Sequence, residues 1–210
     1  MEKMFMSNKD ETARLFKSDI MEFFSRVHWT VPLYIYIPVI LFLFYLSIFK
    51  NNLIGYQIVW LYVAGVASWT LVEYLLHRFV FHYHPTSETG KKIIFIFHGI
   101  HHAYPKDSKR LVMPPSVSIP LAVLFYFIFK ALLGPFFELP FFAGFITGYL
   151  CYDMTHYAIH HFAIKSKFMM FIKAHHMKHH YQDNNKRFGV SQPVWDYVFQ
   201  TMPSSETMKI

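Results

Sequence analysis

The chain has 210 residues, of which 54% are hydrophobic and 20% aromatic, and its formal net charge is +7. This composition is more apolar than that of a typical soluble domain and predicts a single integral-membrane domain. Membrane topology accounts for the positive charge, so we expect no nucleic-acid partner. The single cysteine, Cys151, excludes an internal disulfide and a cysteine-built zinc or iron–sulfur site.

The N-terminal segment, residues 1–30, is charged and has no early apolar core, so we expect no cleaved signal peptide. Within it, residues 9–27 can form an amphipathic helix that gathers Leu15, Ile20 and other apolar side chains on one side. We predict that this segment is cytosolic, where it either lies on the bilayer or packs against the rest of the protein.

Residues 31–210 form the main predicted domain, which begins with a long uncharged stretch. Its apolar stretches are each close to the length of about 20 residues that crosses the hydrocarbon core of a bilayer. Turns at residues 50–52 and 134–135 would join them into two hairpins. The sequence therefore predicts an all-α membrane protein with four transmembrane helices at residues 31–49, 53–76, 116–133 and 136–152.

The basic residues predict the orientation of these helices. Of the 20 Lys and Arg, 18 fall in residues 1–30, 77–115 and 153–210. Four transmembrane helices would place these three segments on one face, which the positive-inside rule assigns to the cytoplasm. We therefore expect a multi-pass protein of a bacterial inner membrane or the endoplasmic reticulum, with a helical cap on the cytosolic side.

Ten of the 14 histidines lie in four short motifs on this predicted cytosolic face. Neutral imidazole is the commonest transition-metal ligand, and ten imidazoles are too many for one ion but suit two. An all-nitrogen site fits iron, zinc, copper or nickel, and oxygen chemistry on a lipid chain favours iron. The predicted ligands of this dinuclear site are His77, His82, His98, His101, His102, His156, His160, His176, His179 and His180.

The spacing of the histidines supports this interpretation. In three motifs the histidines stand at positions i, i+3 or i+4, which share one face of a helix, so each motif is predicted to aim its imidazoles at one point. His77 and His82 are five residues apart, which on an α-helix separates their side chains by about 140°. Either the helix loosens near Val80, or the two histidines bind different metal ions.

Two acidic residues precede metal-ligand candidates on the same predicted helices. Glu73 stands one turn before His77, and Asp153 stands three residues before His156. Either carboxylate could accept an imidazole N–H and fix the tautomer of the ring. The alternative for both residues is a solvated charge at a helix end.

The motifs resemble those of the integral-membrane fatty acid hydroxylase and sterol desaturase superfamily. The phrases RLVMPP and FGVSQPVWDYVF are similar to the fatty acid 2-hydroxylase branch rather than to sterol desaturases. The resemblance covers roughly residues 60–202. It is carried by EYLLHRFVFH (73–82), FHGIHHAYPKDSKRLVMPP (97–115), YDMTHYAIHH (152–161) and HHMKHHYQDNNKRFGVSQPVWDYVFQT (175–201).

This resemblance implies a four-helix membrane fold whose cytosolic cap holds two iron ions through the ten motif histidines, with zinc also possible in isolated protein. It implies hydroxylation of C2 of a long fatty acyl chain, free or within a sphingolipid or other lipid, by O2 and two electrons. Many eukaryotic relatives carry an N-terminal cytochrome b5 domain, for which residues 1–30 are too short. We therefore expect a separate cytochrome b5-like or ferredoxin-like electron donor. Its candidate docking residues, which the positive-inside bias alone would also explain, are Lys106, Lys109, Arg110, Lys186 and Arg187.

Other functions fit parts of the same pattern. A sterol or carotenoid oxygenase or desaturase of the superfamily would use similar motifs. A non-catalytic membrane metal-binding protein, including a structural zinc protein, would bind metal without turnover. Metal transport would require ionisable residues deep within the apolar segments, and the sequence places its histidines at one end. Only an enzyme would yield a hydroxylated lipid, so lipid analysis separates these alternatives.

Overall fold

A computed structural model describes residues 6–203 of the chain. Within that range the regular secondary structure is entirely helical. The chain divides into two compact units. The described parts of residues 1–15, 71–111 and 155–210 form unit 1, and residues 16–70 and 112–154 form unit 2.

Unit 2 contains the apolar helices. Three helices are long and apolar enough to cross a membrane, at Val31–Phe49, Gly55–Phe81 and Pro115–His161, and the last two continue into unit 1. Large apolar side chains on their surfaces are exposed, with relative accessibilities of 58% for Phe42 and 74% for Leu132. Such a surface suits contact with lipid tails and identifies a membrane protein. The helices are α2 (Val31–Phe49), α3 (Gly55–Leu75) and α6 (Pro115–His161).

The helix α6 is interrupted at Gly134, where the sequence predicts a turn. Gly134 has φ 77° and ψ 170°, a backbone conformation outside the helical region that glycine adopts without steric cost. The amide of Asn51, in the turn after α2, donates hydrogen bonds to the carbonyls of Pro135 and Phe136 at 3.3 and 3.2 Å. The two predicted turns therefore meet within unit 2.

Small residues let α3 and α6 approach closely. A Cβ atom at Gly144 would collide with the carbonyl of Tyr62, and one at Gly65 would collide with the carbonyl of Phe141. Backbones in contact at glycines are typical of membrane helix pairs, which gain stability from tight packing rather than from the hydrophobic effect. Trp69 fills the neighbouring space, with its ring centroid 5.1 Å from that of Phe145.

The N-terminal segment differs from the prediction. A helix over residues 9–27 was expected, but the described helix, α1, covers only Asp19–Phe24. Ser18 caps its first turn, and the preceding residues make long-range contacts instead of helical ones. In unit 1, Ser7 N–H donates to the Ala103 carbonyl at 2.8 Å, and the Thr12 hydroxyl donates to Asp107 at 2.7 Å. These contacts override the weak amphipathic pattern.

Unit 1 is built from short helices around the ends of α3 and α6. Two of them are π-helices, which are rare and are often found at functional sites. After α3 the chain forms π1 (Leu76–Phe81), α4 (Glu88–Ile94), π2 (Phe95–Gly99) and α5 (Ile100–Ala103). After α6 it forms α7 (Lys167–Tyr181) and α8 (Val194–Val198).

Candidate metal centre

The π-helix π1 brings His77 and His82 together despite their spacing of five residues. The N–H of His82 donates to the carbonyl of His77 at 3.1 Å, an i to i+5 hydrogen bond. The wider turn places the two Nε2 atoms 3.2 Å apart. The helix therefore loosens around Val80, which is the first of the two possibilities left open by the sequence.

The structure gathers the ten motif histidines into two groups, both within unit 1. In each group the candidate ligand atoms lie within 4.8 Å of one another, so each group could hold one metal ion. The two groups adjoin, since the rings of His102 and His180 have centroids 4.3 Å apart. We call the set His77, His82, His98, His102 and His179 site 1, and the set His101, His156, His160, His176 and His180 site 2.

The spacing predicts that each three-histidine motif aims at one point, but the structure divides both motifs between the two sites. His98 and His102 belong to site 1, whereas His101 between them belongs to site 2. In the last motif His179 alone belongs to site 1. Consecutive helical residues point about 100° apart, so the i+3 and i+4 imidazoles diverge enough to face different ions.

The imidazole spacings fit a metal ion with several nitrogen ligands. The shortest Nε2–Nε2 distances between neighbouring rings are 3.0–3.2 Å in site 1 and 2.9–3.0 Å in site 2. With metal–nitrogen bonds of about 2.1 Å, ligands at 90° lie about 3.0 Å apart, and ligands at the tetrahedral angle about 3.4 Å apart. The spacing thus suits several nitrogen ligands around one metal ion.

The site histidines are held neutral, as metal ligation requires. Burial and the repulsion of neighbouring imidazoles keep the pKa values of the histidines outside the apolar helices well below their ordinary value. A neutral imidazole leaves one ring nitrogen with a lone pair that can bind a cation. This applies to His82, His98, His101, His102, His176, His179 and His180.

Backbone carbonyls fix the tautomer of two site 1 rings. His77 Nδ1 lies 2.5 Å from the Phe188 carbonyl, and His179 Nδ1 lies 2.7 Å from the Lys186 carbonyl. A carbonyl only accepts, so each Nδ1 carries the proton and each neutral ring presents an unprotonated Nε2. Lone pairs that converge at 3.0 Å repel one another unless a cation lies between them, so the residues fit a bound metal.

The two acidic candidates are both buried in the structure. Glu73 was expected to accept an imidazole N–H directly, but it accepts the backbone N–H groups of Val190 and Ser191, both at 2.8 Å. It is 2% exposed, so it is not a solvated helix-end charge. Asp153 is 1% exposed, so it is not a solvated helix-end charge either.

A buried carboxylate that the sequence interpretation did not single out lies in α8. Asp196 accepts hydrogen bonds from the N–H groups of Phe188 and Gly189, both at 2.8 Å, and from His175 Nε2 at 3.1 Å. Burial alone would raise the pKa of Asp196, but hydrogen bonds from His175, Thr201 and Gly189 outweigh it and lower the pKa. An acid inside the apolar run PVWDYVF was the available sequence signal.

Most of the predicted docking residues for an electron donor are buried or bonded to other parts of the protein. Arg187 is 4% exposed, and the side chain of Arg110 is buried against Asp107 at 3.6 Å. Lys106 donates through Nζ to the carbonyl of His160 at 2.7 Å. Lys109 is exposed and Lys186 is half-buried, so the five residues do not form one open basic surface.

Comparison with known proteins places these features in a family. The Fatty acid hydroxylase family model matches residues 62–201, which include both histidine groups. The chain is also similar to a solved structure described as full-length scs7p with only the hydroxylase domain visible. That match has a TM-score of 0.83 and 35% identity, and it covers 89% of this chain and 70% of the solved chain.

Curated relatives of the chain are also named as hydroxylases of fatty acyl chains. Fatty acid 2-hydroxylase from Rattus norvegicus is 38% identical over 92% of this chain and 57% of its own length. Dihydroceramide fatty acyl 2-hydroxylase from Arabidopsis thaliana is 37% identical over 93% of this chain and 82% of its own length. The chain therefore spans little more than half the length of the rat relative. Because the family model matches well over half of the chain, the protein belongs to the fatty acid hydroxylase family.

Proposed function

We propose that this protein is a membrane-bound di-iron oxygenase that hydroxylates C2 of a long fatty acyl chain. The observation that carries the proposal is the convergence of ten imidazoles into two adjoining five-histidine groups, at the ends of helices long enough to enter a bilayer. Two groups suit two metal ions. Iron is the ion proposed, because an unactivated C–H bond requires a redox-active metal.

The names of the relatives support the substrate class. The rat protein is named for fatty acids and the Arabidopsis protein for dihydroceramide fatty acyl chains. A Saccharomyces cerevisiae relative that is 36% identical is named for ceramide very long chain fatty acids. A long acyl chain, either free or within a sphingolipid, is therefore the proposed substrate. The bilayer that surrounds the apolar helices would supply it.

We propose four transmembrane segments with the histidines on the cytoplasmic side. The break at Gly134 divides α6 into two segments, and the contact between Asn51 and Pro135 places the two turns at the same end of unit 2. Most Lys and Arg lie in the remaining segments, together with the histidine motifs. The positive-inside rule assigns that end to the cytoplasm.

The proposed reaction converts R–CH2–CO–X, O2, two electrons and two protons into R–CHOH–CO–X and water. Bound iron would supply the one-electron steps that the reduction of O2 requires. The protein's residues supply the rest of the site: ten Nε2 atoms to hold the ions, and buried rings that exclude water. His176 and His179 are both 0% exposed, so bulk water is kept from the centre.

Two electrons must reach this centre from another protein or domain, and we propose a cytochrome b5-like or ferredoxin-like donor. Lys109 and Lys186 remain the accessible members of the predicted docking set. Their contribution would be to steer an acidic donor towards the histidine-bearing unit, which is a long-range and salt-dependent effect.

The test is lipid mass spectrometry on cells that express the chain together with a compatible electron donor. Acyl chains that gain one oxygen atom at C2 are expected with the intact protein and not with His101→Ala or His179→Ala, one ligand from each site. The matched control is His84→Ala, which alters an exposed histidine outside both groups and should retain product.

Absence of any 2-hydroxylated lipid from cells that contain folded, iron-loaded protein and a working donor would refute the 2-hydroxylase. Oxygenated or desaturated sterol or carotenoid would instead assign the other reactions of the superfamily. Metal binding without any oxidised lipid would leave a non-catalytic metal protein.

A further inference from the structure

The backbone of one loop forms hydrogen bonds with two buried carboxylates through its N–H groups and with two imidazoles through its carbonyl groups. We call residues 186–191 the backbone clamp. Asp196 accepts the N–H groups of Phe188 and Gly189, each at 2.8 Å. Glu73, distant in sequence, accepts the N–H groups of Val190 and Ser191, also at 2.8 Å. Four consecutive backbone donors are thus used by two carboxylates.

The carbonyl groups of the same loop hold ligands of one site. The Phe188 carbonyl accepts from His77 Nδ1 at 2.5 Å, and the Lys186 carbonyl accepts from His179 Nδ1 at 2.7 Å. Both histidines belong to site 1. One path of contacts runs directly from Asp196 through Phe188 to His77 Nδ1. Glu73 and His179 bond to neighbouring residues of the same short loop.

Site 2 is supported differently. The Nδ1 atoms of His176 and His180 are buried and have no hydrogen-bond partner among the residues that the structure describes. Their rings are kept in place by packing, for example against each other with centroids 4.5 Å apart. A ring without an Nδ1–H acceptor is less strictly oriented, and its Nε2 is a weaker donor to a metal.

We propose that Glu73 and Asp196 act through the backbone clamp as positioning residues for His77 and His179, so that site 1 holds its metal ion more tightly than site 2. The inference rests on the proposed function in that both histidine groups bind a metal. Hydrogen bonds of this kind fix the tautomer and increase ligand basicity, and their loss typically costs about 10–100-fold in metal affinity.

The loop sequence fits this role at Gly189. A Cβ atom at this position would collide with the Gln192 carbonyl and come within 2.9 Å of Asp196 Oδ2. Only glycine lets the clamp close around the carboxylate, because any larger residue must push the backbone away from Asp196. The Ser191 hydroxyl adds a third hydrogen bond to Glu73, at 2.5 Å.

The experiment measures metal release from purified protein in lipid nanodiscs. Protein loaded with iron is mixed with excess EDTA, and iron bound per chain is followed by mass spectrometry of the metal. The intact protein is expected to lose its iron in two phases of equal amplitude, with the slower phase from site 1. The Asp196→Asn variant is expected to accelerate the slow phase about 10–100-fold and leave the fast phase unchanged.

Asparagine at position 196 retains one acceptor oxygen in place of two, so either the N–H donors to Oδ1 or those to Oδ2 lose their partner. Glu73→Gln is the milder variant, since one amide oxygen can still accept from both Val190 and Ser191. It should fold and accelerate the slow phase by a smaller factor. The matched control is Glu88→Gln, an exposed acid of the same unit that bonds to the exposed Lys91 and whose removal should alter neither phase.

Ligand variants assign the phases. Asp196→Asn should accelerate release in a His180→Ala background, which keeps site 1, and have no effect in a His102→Ala background, which keeps site 2. Equal acceleration of both phases, an effect that persists in His102→Ala, or unchanged release in both Asp196→Asn and Glu73→Gln would overturn the inference. Intact protein that binds no iron would instead overturn the proposed function.

Discussion

Site 1 and site 2 have the same plan but different support. Site 1 takes four histidines from residues 77–102 and one, His179, from the later part of the chain. Site 2 takes four from residues 156–180 and one, His101, from the earlier part. Each site thus has four histidines from one part of the chain and one histidine from the other part. The groups behind the ligands are not repeated, because the backbone clamp serves site 1 alone.

This comparison suggests a division of labour within one centre. The exchange of His101 and His179 joins the two halves of the ligand set, so loss of either histidine affects the neighbouring half as well as its own. The outer hydrogen bonds, by contrast, can be changed at one site at a time. The two metal positions can therefore differ in affinity although each is surrounded by five imidazoles.

The largest effect is expected from removal of a ligand. His98→Ala should remove the ion of site 1 and His176→Ala that of site 2, so each variant should bind about half the iron of the intact protein. Both should lose 2-hydroxylation by more than the roughly 100-fold that loss of an outer-shell partner can cause, since the proposed reaction uses both ions. Metal analysis and product mass spectrometry on the same preparations provide the measurement.

His84→Ala should match the intact protein in both assays, because His84 is exposed and belongs to neither site. Full activity in either ligand variant with one ion bound would show that the other ion is structural. In that case the comparison between the sites becomes one between a catalytic and a supporting metal.

A smaller effect, confined to site 2, is expected at Lys106. Its ammonium donates to the carbonyl of His160 at 2.7 Å, in the last turn of α6, where a cation also interacts favourably with the helix dipole. Lys106→Met keeps the length of the side chain but removes the donor. This should weaken iron binding at site 2 by about 0.5–1 kcal/mol, or two- to fivefold, and accelerate only the fast phase of release.

Lys109→Met is the control for this prediction, because Lys109 is a neighbouring exposed lysine. It removes the same charge from the same loop but should leave both release phases unchanged. A slow phase that changes in Lys106→Met would mean that Lys106 supports both sites.

The ten candidate ligands could be named from the sequence, whereas their distribution between two groups could not. Neutral imidazoles at helical spacings predicted a two-metal site. The assignment of His101 away from His98 and His102 depends on a separation of about 100° between successive side chains and on where a second ion lies. The position of the second group of ligands depends on how the helices pack. A one-dimensional pattern holds no information about it.

Contacts between residues far apart in the chain could not be predicted from the sequence either. Glu73 was predicted to touch an imidazole because it stands one turn before His77, but its partners are Val190 and Ser191, more than a hundred residues away. Residues 9–18 have an amphipathic pattern, yet Thr12 bonds to Asp107 and α1 begins only at Asp19. Local propensity is worth tenths of a kcal/mol per residue, so a few tertiary hydrogen bonds outweigh it.

The smallest effect is expected where the two sites differ in spacing. Site 1 uses His77 and His82 on a π-helix, whereas site 2 uses His156 and His160, four residues apart on an α-helix. Deletion of Val80, which is 48% exposed, would give the first motif the α-helical spacing of the second. Since both spacings place two imidazoles on one face, the variant should still bind two irons, with slow-phase release changed less than the two- to fivefold expected for the fast phase in Lys106→Met.

The exposed residues after His82 can absorb the shift, while Glu73 and His77 lie before the deletion and should keep their contacts with the clamp. The matched control is insertion of one alanine after Tyr157, which would give site 2 the five-residue spacing but within a continuous α-helix that buries Ile159. Loss of the site 1 ion on deletion of Val80 would show that the π-turn is itself required. Retention would show that the backbone clamp and not the π-helix is what distinguishes the two sites.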